Sequence, residues 1–270
     1  MGGEQGQGST PHGAQPQGRR RARKAEGPAL SDPRRLTAAG VGASAVLRQS
    51  ALLIRKDLLT EWRTKETLLT LIFFALLLVV IFSFSLWVDE KIARAVAPGI
   101  IWIALAFTGA LAIERSFAQE QEGDTLTALA LVPGAQQALF AAKTATNILY
   151  ILIVVLVVAP LVLLMLSVPL PMDTWPCFAA ALVAGTVGFS AVGTVFSAML
   201  VAVRRRGVLL PIVLYPIALP LLIMGVEAVG VLIQEFPVAQ AWSWVKVMVA
   251  VDVLYIVGGA WLFGHIGQDE

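Results

Sequence analysis

Three ionisable side chains fall inside the apolar part of this sequence, Glu227, Lys246 and Asp252. A charge near the centre of a bilayer costs a few kcal/mol, so each has a functional reading by default. Glu227 is expected about six residues from the outer end of one apolar run and Asp252 about seven from the outer end of the next. At ~1.5 Å per residue they reach similar depths, with Lys246 just above Asp252. The spacing predicts an outer-side polar cluster that either locks the two helices together or lines an opening toward that face. Chemistry of other kinds lacks its residues. The chain has no G-x-x-x-x-G-K-S/T phosphate loop. Its two histidines, His12 and His265, form no pair placed to ligate a metal or a haem iron within the membrane. Ser190 has no membrane-embedded histidine as base, and Asp252 has no second intramembrane aspartate to share a proton. The single Cys177 excludes an intramolecular disulfide and a thiolate metal cluster. Passage, docking and scaffolding remain.

Docking has a candidate surface in the hydrophilic stretch from Glu114 to Lys143. It opens with Glu114, Arg115, Phe117, Glu120 and Glu122, breaks at Gly123-Asp124, and resumes with Leu126 and Leu129 until Pro133-Gly134. Two short helices fit this pattern: Gly123 loosens the end of the first, Asp124 caps the second, and Pro133 forbids its continuation. The apolar residues here are too few to span a bilayer, but they suffice to dock short helices onto a partner or the membrane surface.

The elements that position these residues follow from composition. Of the 270 residues 57% are apolar and 14% charged, against about 25% charged in soluble domains, which makes this a polytopic membrane protein. Six apolar runs, roughly 68–88, 96–113, 145–168, 177–203, 208–233 and 245–266, approach or exceed the ~20 residues of a spanning helix. Residues 1–42 are rich in Gly, Gln, Pro, Ala and Arg without an apolar period, and read as a disordered basic tail whose Arg19–Lys24 run faces anionic lipid. From 43 to 67 the residues Leu47, Ala51, Ile54, Leu58 and Trp62 share one helical face, opposite Arg48, Arg55, Lys56, Asp57, Glu61 and Lys65. An amphipathic helix in the membrane interface is expected, with Trp62 near the headgroups. The fold class is therefore all-α: an interfacial helix, then a six-helix transmembrane domain over 68–270 whose loop 114–144 faces the cytoplasm. With the N-terminus inside, 17 of the 20 Lys and Arg lie on the cytoplasmic side and Lys91, Arg94 and Lys246 on the other, so both termini are expected inside. Ala181, Gly185, Gly188, Ser190, Gly193, Thr194, Ser197 and Ala198 mark a packing side of the fourth run, and Pro211, Pro216 and Pro220 a bent fifth helix. Trp242-Ser243-Trp244 reads as part of an interfacial aromatic belt.

Particular residues carry a resemblance. Ala97-Pro98-Gly99-Ile100-Ile101-Trp102, followed by Glu114-Arg115-Ser116-Phe117, resembles the haem exporter protein B family, CcmB. Gly123-Asp124-Thr125-Leu126 through Pro133, Lys143, and Arg206-Gly207-Val208-Leu209-Leu210 with Pro216 and Pro220 agree with it, and the likeness runs from about residue 45 to the C-terminus. The sequence departs from the family pattern at Glu122-Gly123-Asp124 and at Thr127. The resemblance implies an ABC exporter permease subunit of the bacterial inner membrane, acting in cytochrome c maturation. It implies as partners a CcmA-like ATPase that binds the ATP, a CcmC-like haem-handling membrane subunit and a CcmE-like haem chaperone, with membrane lipids and a second copy of the chain as further candidates. Haem would be a transported substrate rather than a tightly bound cofactor, and ATP hydrolysis would drive its export or the release of loaded chaperone. The coupling contact would fall on Glu114, Arg115, Phe117, Glu120, Glu122, Asp124, Leu126, Leu129 and Pro133. A non-transporting scaffold of the assembly complex and an ABC permease for another substrate are the alternatives.

Overall fold

The computed structural model describes residues 43–85, 89–122, 135–200 and 206–266. The basic tail read in residues 1–42, and the second short helix expected over 124–132, lie outside them. Among the described residues there are seven α-helices: α1 (Ala43–Thr64), α2 (Glu66–Ser85), α3 (Glu90–Glu122), α4 (Ala135–Met165), α5 (Trp175–Met199), α6 (Arg206–Ile233) and α7 (Val238–Ile266). A single 3-10 turn, Met172–Thr174, leads into α5. Helices α2 to α7 are each long and apolar enough to cross a membrane, so the protein is a multi-pass membrane protein.

Burial sorts the six spans. In α3 and in α5, 72% of the most apolar window is buried, against 22% in α2 and in α7. The first pair forms the centre of the bundle and the second pair its margin. Helix α5 earns its place through small residues: a Cβ on Gly185 would strike the Trp102 ring, one on Gly188 the Asp252 carboxylate and Leu221, and one on Gly193 the Ile113 side chain. Helices α3, α6 and α7 therefore approach its backbone at three heights, the close packing that transmembrane interfaces build from small residues. Trp102 is held from two sides, because a Cβ on Gly225 of α6 would also meet its ring.

Helix α3 differs from the length expected of it. The shortest apolar run became part of the longest helix, α3, with 33 residues. Its residues Glu114–Glu122 are no separate short helix but the continuation of the span. Alanine, glutamate and glutamine are strong helix formers, so leaving the apolar layer gives the backbone no reason to break before Gly123. Helix α6 keeps nearly its expected bounds and contains Pro211, Pro216 and Pro220.

Between α1 and α2 stands Lys65, whose backbone adopts φ 54°. Glu61 secures the turn: its backbone oxygen accepts the Lys65 N–H at 2.6 Å, and its Oε1 accepts the Leu68 N–H at 2.8 Å. Leu68 is the third residue of α2, one of the N–H groups that no helix can satisfy from within.

Candidate coupling end of the bundle

At one end of the bundle meet α1, the start of α2, the end of α3, the start of α4 and the end of α5. Several polar contacts join them, among buried apolar residues such as Ile113, Phe117 and Leu139. The Lys143 ammonium of α4 donates to Asp57 Oδ2 of α1 at 2.8 Å. The two side chains are 1% and 5% exposed, so this is a buried ion pair between residues 86 positions apart. Lys56 adds a second cation at 3.4 Å from Asp57 Oδ1. Ser50 of α1 donates to the backbone oxygen of Ala138 in α4 at 3.2 Å. Arg115 of α3 donates through Nη1 to Thr70 Oγ1 of α2 at 3.2 Å, and Thr70 passes its own proton to the Glu66 carbonyl at 2.8 Å. One helical turn deeper than Lys143, Asn147 Nδ2 donates to Thr194 Oγ1 of α5 at 3.2 Å.

The sidedness of α1 follows from these bonds. Ser50, Asp57 and Glu61 are buried, while Leu52 and Leu59 on the opposite side are 58% and 48% exposed and Trp62 is 79% exposed. The helix buries Ser50, Asp57 and Glu61 against the protein and exposes a mixed face, Leu52, Leu59 and Trp62 beside Arg48, Arg55 and Lys56, a composition that suits a helix lying in the membrane interface. Residues 50, 57 and 61 are seven and four apart, so the stripe was visible as a period. Its burial was not, because in a soluble protein the same stripe would face solvent.

The coupling residues named from the sequence divide into three groups. Glu114 and Arg115 are half-buried at the inner end of α3, with Arg115 engaged to Thr70. Phe117 is 1% exposed and belongs to the core. It cannot touch a partner, and its role as a surface contact is corrected to packing: helical phase turns position 117 toward the bundle, together with buried Ile113. Glu120 and Glu122 lie on the helical continuation, and Asp124, Leu126, Leu129 and Pro133 lie outside the described residues.

The expected cluster of Glu227, Lys246 and Asp252 is not brought together. Helix α7 begins at Val238, not at 245, which puts Asp252 at the midpoint of its 29 residues. Asp252 is buried against Gly188 and Leu221, whereas Glu227 and Lys246 are exposed. No ion pair joins the three among the described residues. Six residues separate Lys246 from Asp252, about 240° around a helix, so the two point to different sides of α7. Oδ1 of Asp252 has no hydrogen-bond partner, and the same holds for Trp102 Nε1 and Ser190 Oγ. At the opposite end of the bundle the charges do pair: Arg94 of α3 donates to Glu90 at 2.9 Å and to Glu235, beyond the end of α6, at 2.8 Å. Among the described residues no group of His, Cys, Asp and Glu is placed to hold a metal ion.

Comparison with known proteins agrees with this architecture. The chain is 28% identical to heme exporter protein B of Pseudomonas aeruginosa over 201 residues, covering 74% of this chain and 89% of that protein. It is 31% identical to heme exporter protein B of Rhodobacter capsulatus, covering 58% of this chain and 71% of the relative. With heme exporter protein B of Escherichia coli K12 it shares 28% identity, covering 69% and 84%. The family model described as CcmB protein matches residues 48–264, from within α1 to near the end of α7, and the chain belongs to that family.

Proposed function

We propose that this chain is the membrane subunit of a haem exporter in the bacterial inner membrane, worked by a separate CcmA-like ATPase that docks on the coupling end. Its relatives bear the name heme exporter protein B. The observation that supports an external drive is the course of α3, which continues as helix from the apolar span to Glu122. A subunit moved by another protein needs a stiff element that reaches from the partner into the bundle. Glu120 and Glu122 on this continuation, and Asp124 just after it, supply an acidic contact. The remaining partners are a CcmC-like membrane subunit and a CcmE-like chaperone. Both termini are cytoplasmic in this reading, supported by the 17 Lys and Arg on that side against three on the other. The chain carries no ATP site of its own in this scheme, and haem passes as cargo, either exported or released on its chaperone.

The test is co-purification of the complex through the tagged chain, comparing wild type with Glu120→Lys, Glu122→Lys and Asp124→Lys combined. Loss of the ATPase, or of its coupled ATP turnover, is expected while the chain stays inserted. An ATPase retained with unchanged turnover would remove the basis for placing the drive contact here.

A further inference from the structure

Glu227 is an exposed carboxylate inside a span. It sits six residues before the end of α6, about 9 Å along the axis, too far for its two-carbon stem to carry the charge out to the headgroups. No cation of this chain answers it among the described residues. Arg94 is committed to Glu90 and Glu235, and Lys246 stands on α7 without an ion pair to it. The carboxylate marks the rim of an apolar groove of about 430 Å³ between α3 and α6. One wall carries Gly99, Ile103 and Phe107, and the other Leu219, Ile223 and Glu227. These residues recur every four positions along each helix, so the groove follows the helix axes. A Cβ on Gly99 would meet nothing within 4 Å, leaving room there for a close backbone approach.

We propose that this groove receives a transmembrane helix of another membrane subunit, one that carries a lysine or arginine about two turns from the outer face to pair with Glu227. Charge selects the occupant. Lipid tails would fill the apolar length but leave the carboxylate uncompensated, whereas a basic helix satisfies both. The two ridges present the groove in which a third helix packs. The proposal rests on the chain being one subunit of a membrane complex, and it uses a different face from the coupling end.

The experiment places a photo-reactive residue at position 223 of the tagged full-length chain, irradiates native membranes and sequences the cross-linked peptide, with position 257 on exposed α7 as control. The expected adduct, at 223 only, is to an apolar stretch of a different membrane subunit that contains Lys or Arg. Glu227→Gln should lower its yield at least about tenfold, and Glu227→Lys combined with an acidic residue at the partner's basic position should restore it. Adducts to lipid alone, adducts to a second copy of this chain, or a yield unaffected by Glu227→Gln would each overturn the proposal. ATPase retention is scored in the same preparation. A kept ATPase without the adduct defeats the groove and leaves the exporter reading intact, and the adduct without the ATPase does the reverse.

Discussion

Two ion pairs of equal length hold opposite ends of this bundle, and they are built for different purposes. Lys143 and Asp57 meet at 2.8 Å with 1% and 5% of their side chains exposed. Arg94 and Glu235 also meet at 2.8 Å, but with 26% and 59% exposed. The buried pair has lost its water, so removing Lys143 leaves the buried Asp57 carboxylate to the half-exposed Lys56 at 3.4 Å, a poor replacement for a buried partner. Water can replace either partner of the exposed pair. The end where α1 meets α4 is therefore joined by an obligatory contact, and the opposite end by one that can open at little cost.

Lys143→Met tests the obligatory side. It should lower stability by about 3–5 kcal/mol, read as the unfolding midpoint in detergent, and the double variant Asp57→Leu with Lys143→Met should recover most of that loss. A double variant as unstable as the single would show that packing rather than the pair holds α1. Glu61→Ala should cost less, about 0.5–2 kcal/mol, by removing the acceptor of the Leu68 N–H. Its signature is faster hydrogen exchange at the start of α2 without dissociation of α1, which would separate the cap from the ion pair. The smallest effect belongs to Arg94→Ala, whose midpoint should stay within experimental scatter. A drop comparable to that of Lys143→Met would erase the contrast between the two ends.

Hydropathy alone revealed the six spans, because a predominantly apolar run as long as 68–88 reads as a membrane span. The ends of the helices were harder to read. Charges at Glu90, Lys91 and Arg94 close an apolar window, yet the backbone keeps its hydrogen bonds through them, and α3 begins at Glu90. The same blindness placed Asp252 near the outer face. Once α7 was seen to start at Val238, the residue moved to the middle of the bundle and away from Lys246. The small residues of α5 were legible as a packing side, but not what fills them: nothing local says that Trp102 occupies the space left by Gly185 and Gly225. The Asp57–Lys143 pair was illegible for a related reason. Each residue reads as an ordinary surface charge until tertiary contact brings α1 onto α4. For the coupling segment, the sequence could find the polar stretch, but not that its first part shares one helix with a span.

In the proposed scheme, with an ATPase pushing at Glu122, that shared helix would work as a lever. Proline at position 98 has no N–H to bond back along α3, so the helix lacks one rung of its ladder near the end that begins at Glu90. With Pro98 as fulcrum, Glu122 lies 24 residues away, about 36 Å, and Trp102 only four, about 6 Å. A push at the far tip reaches the tryptophan reduced about sixfold in travel and multiplied correspondingly in force. A stroke of about 6 Å, well within a domain motion, would move the indole by about 1 Å. Because Gly185 and Gly225 leave that ring no slack, α5 and α6 would have to follow it.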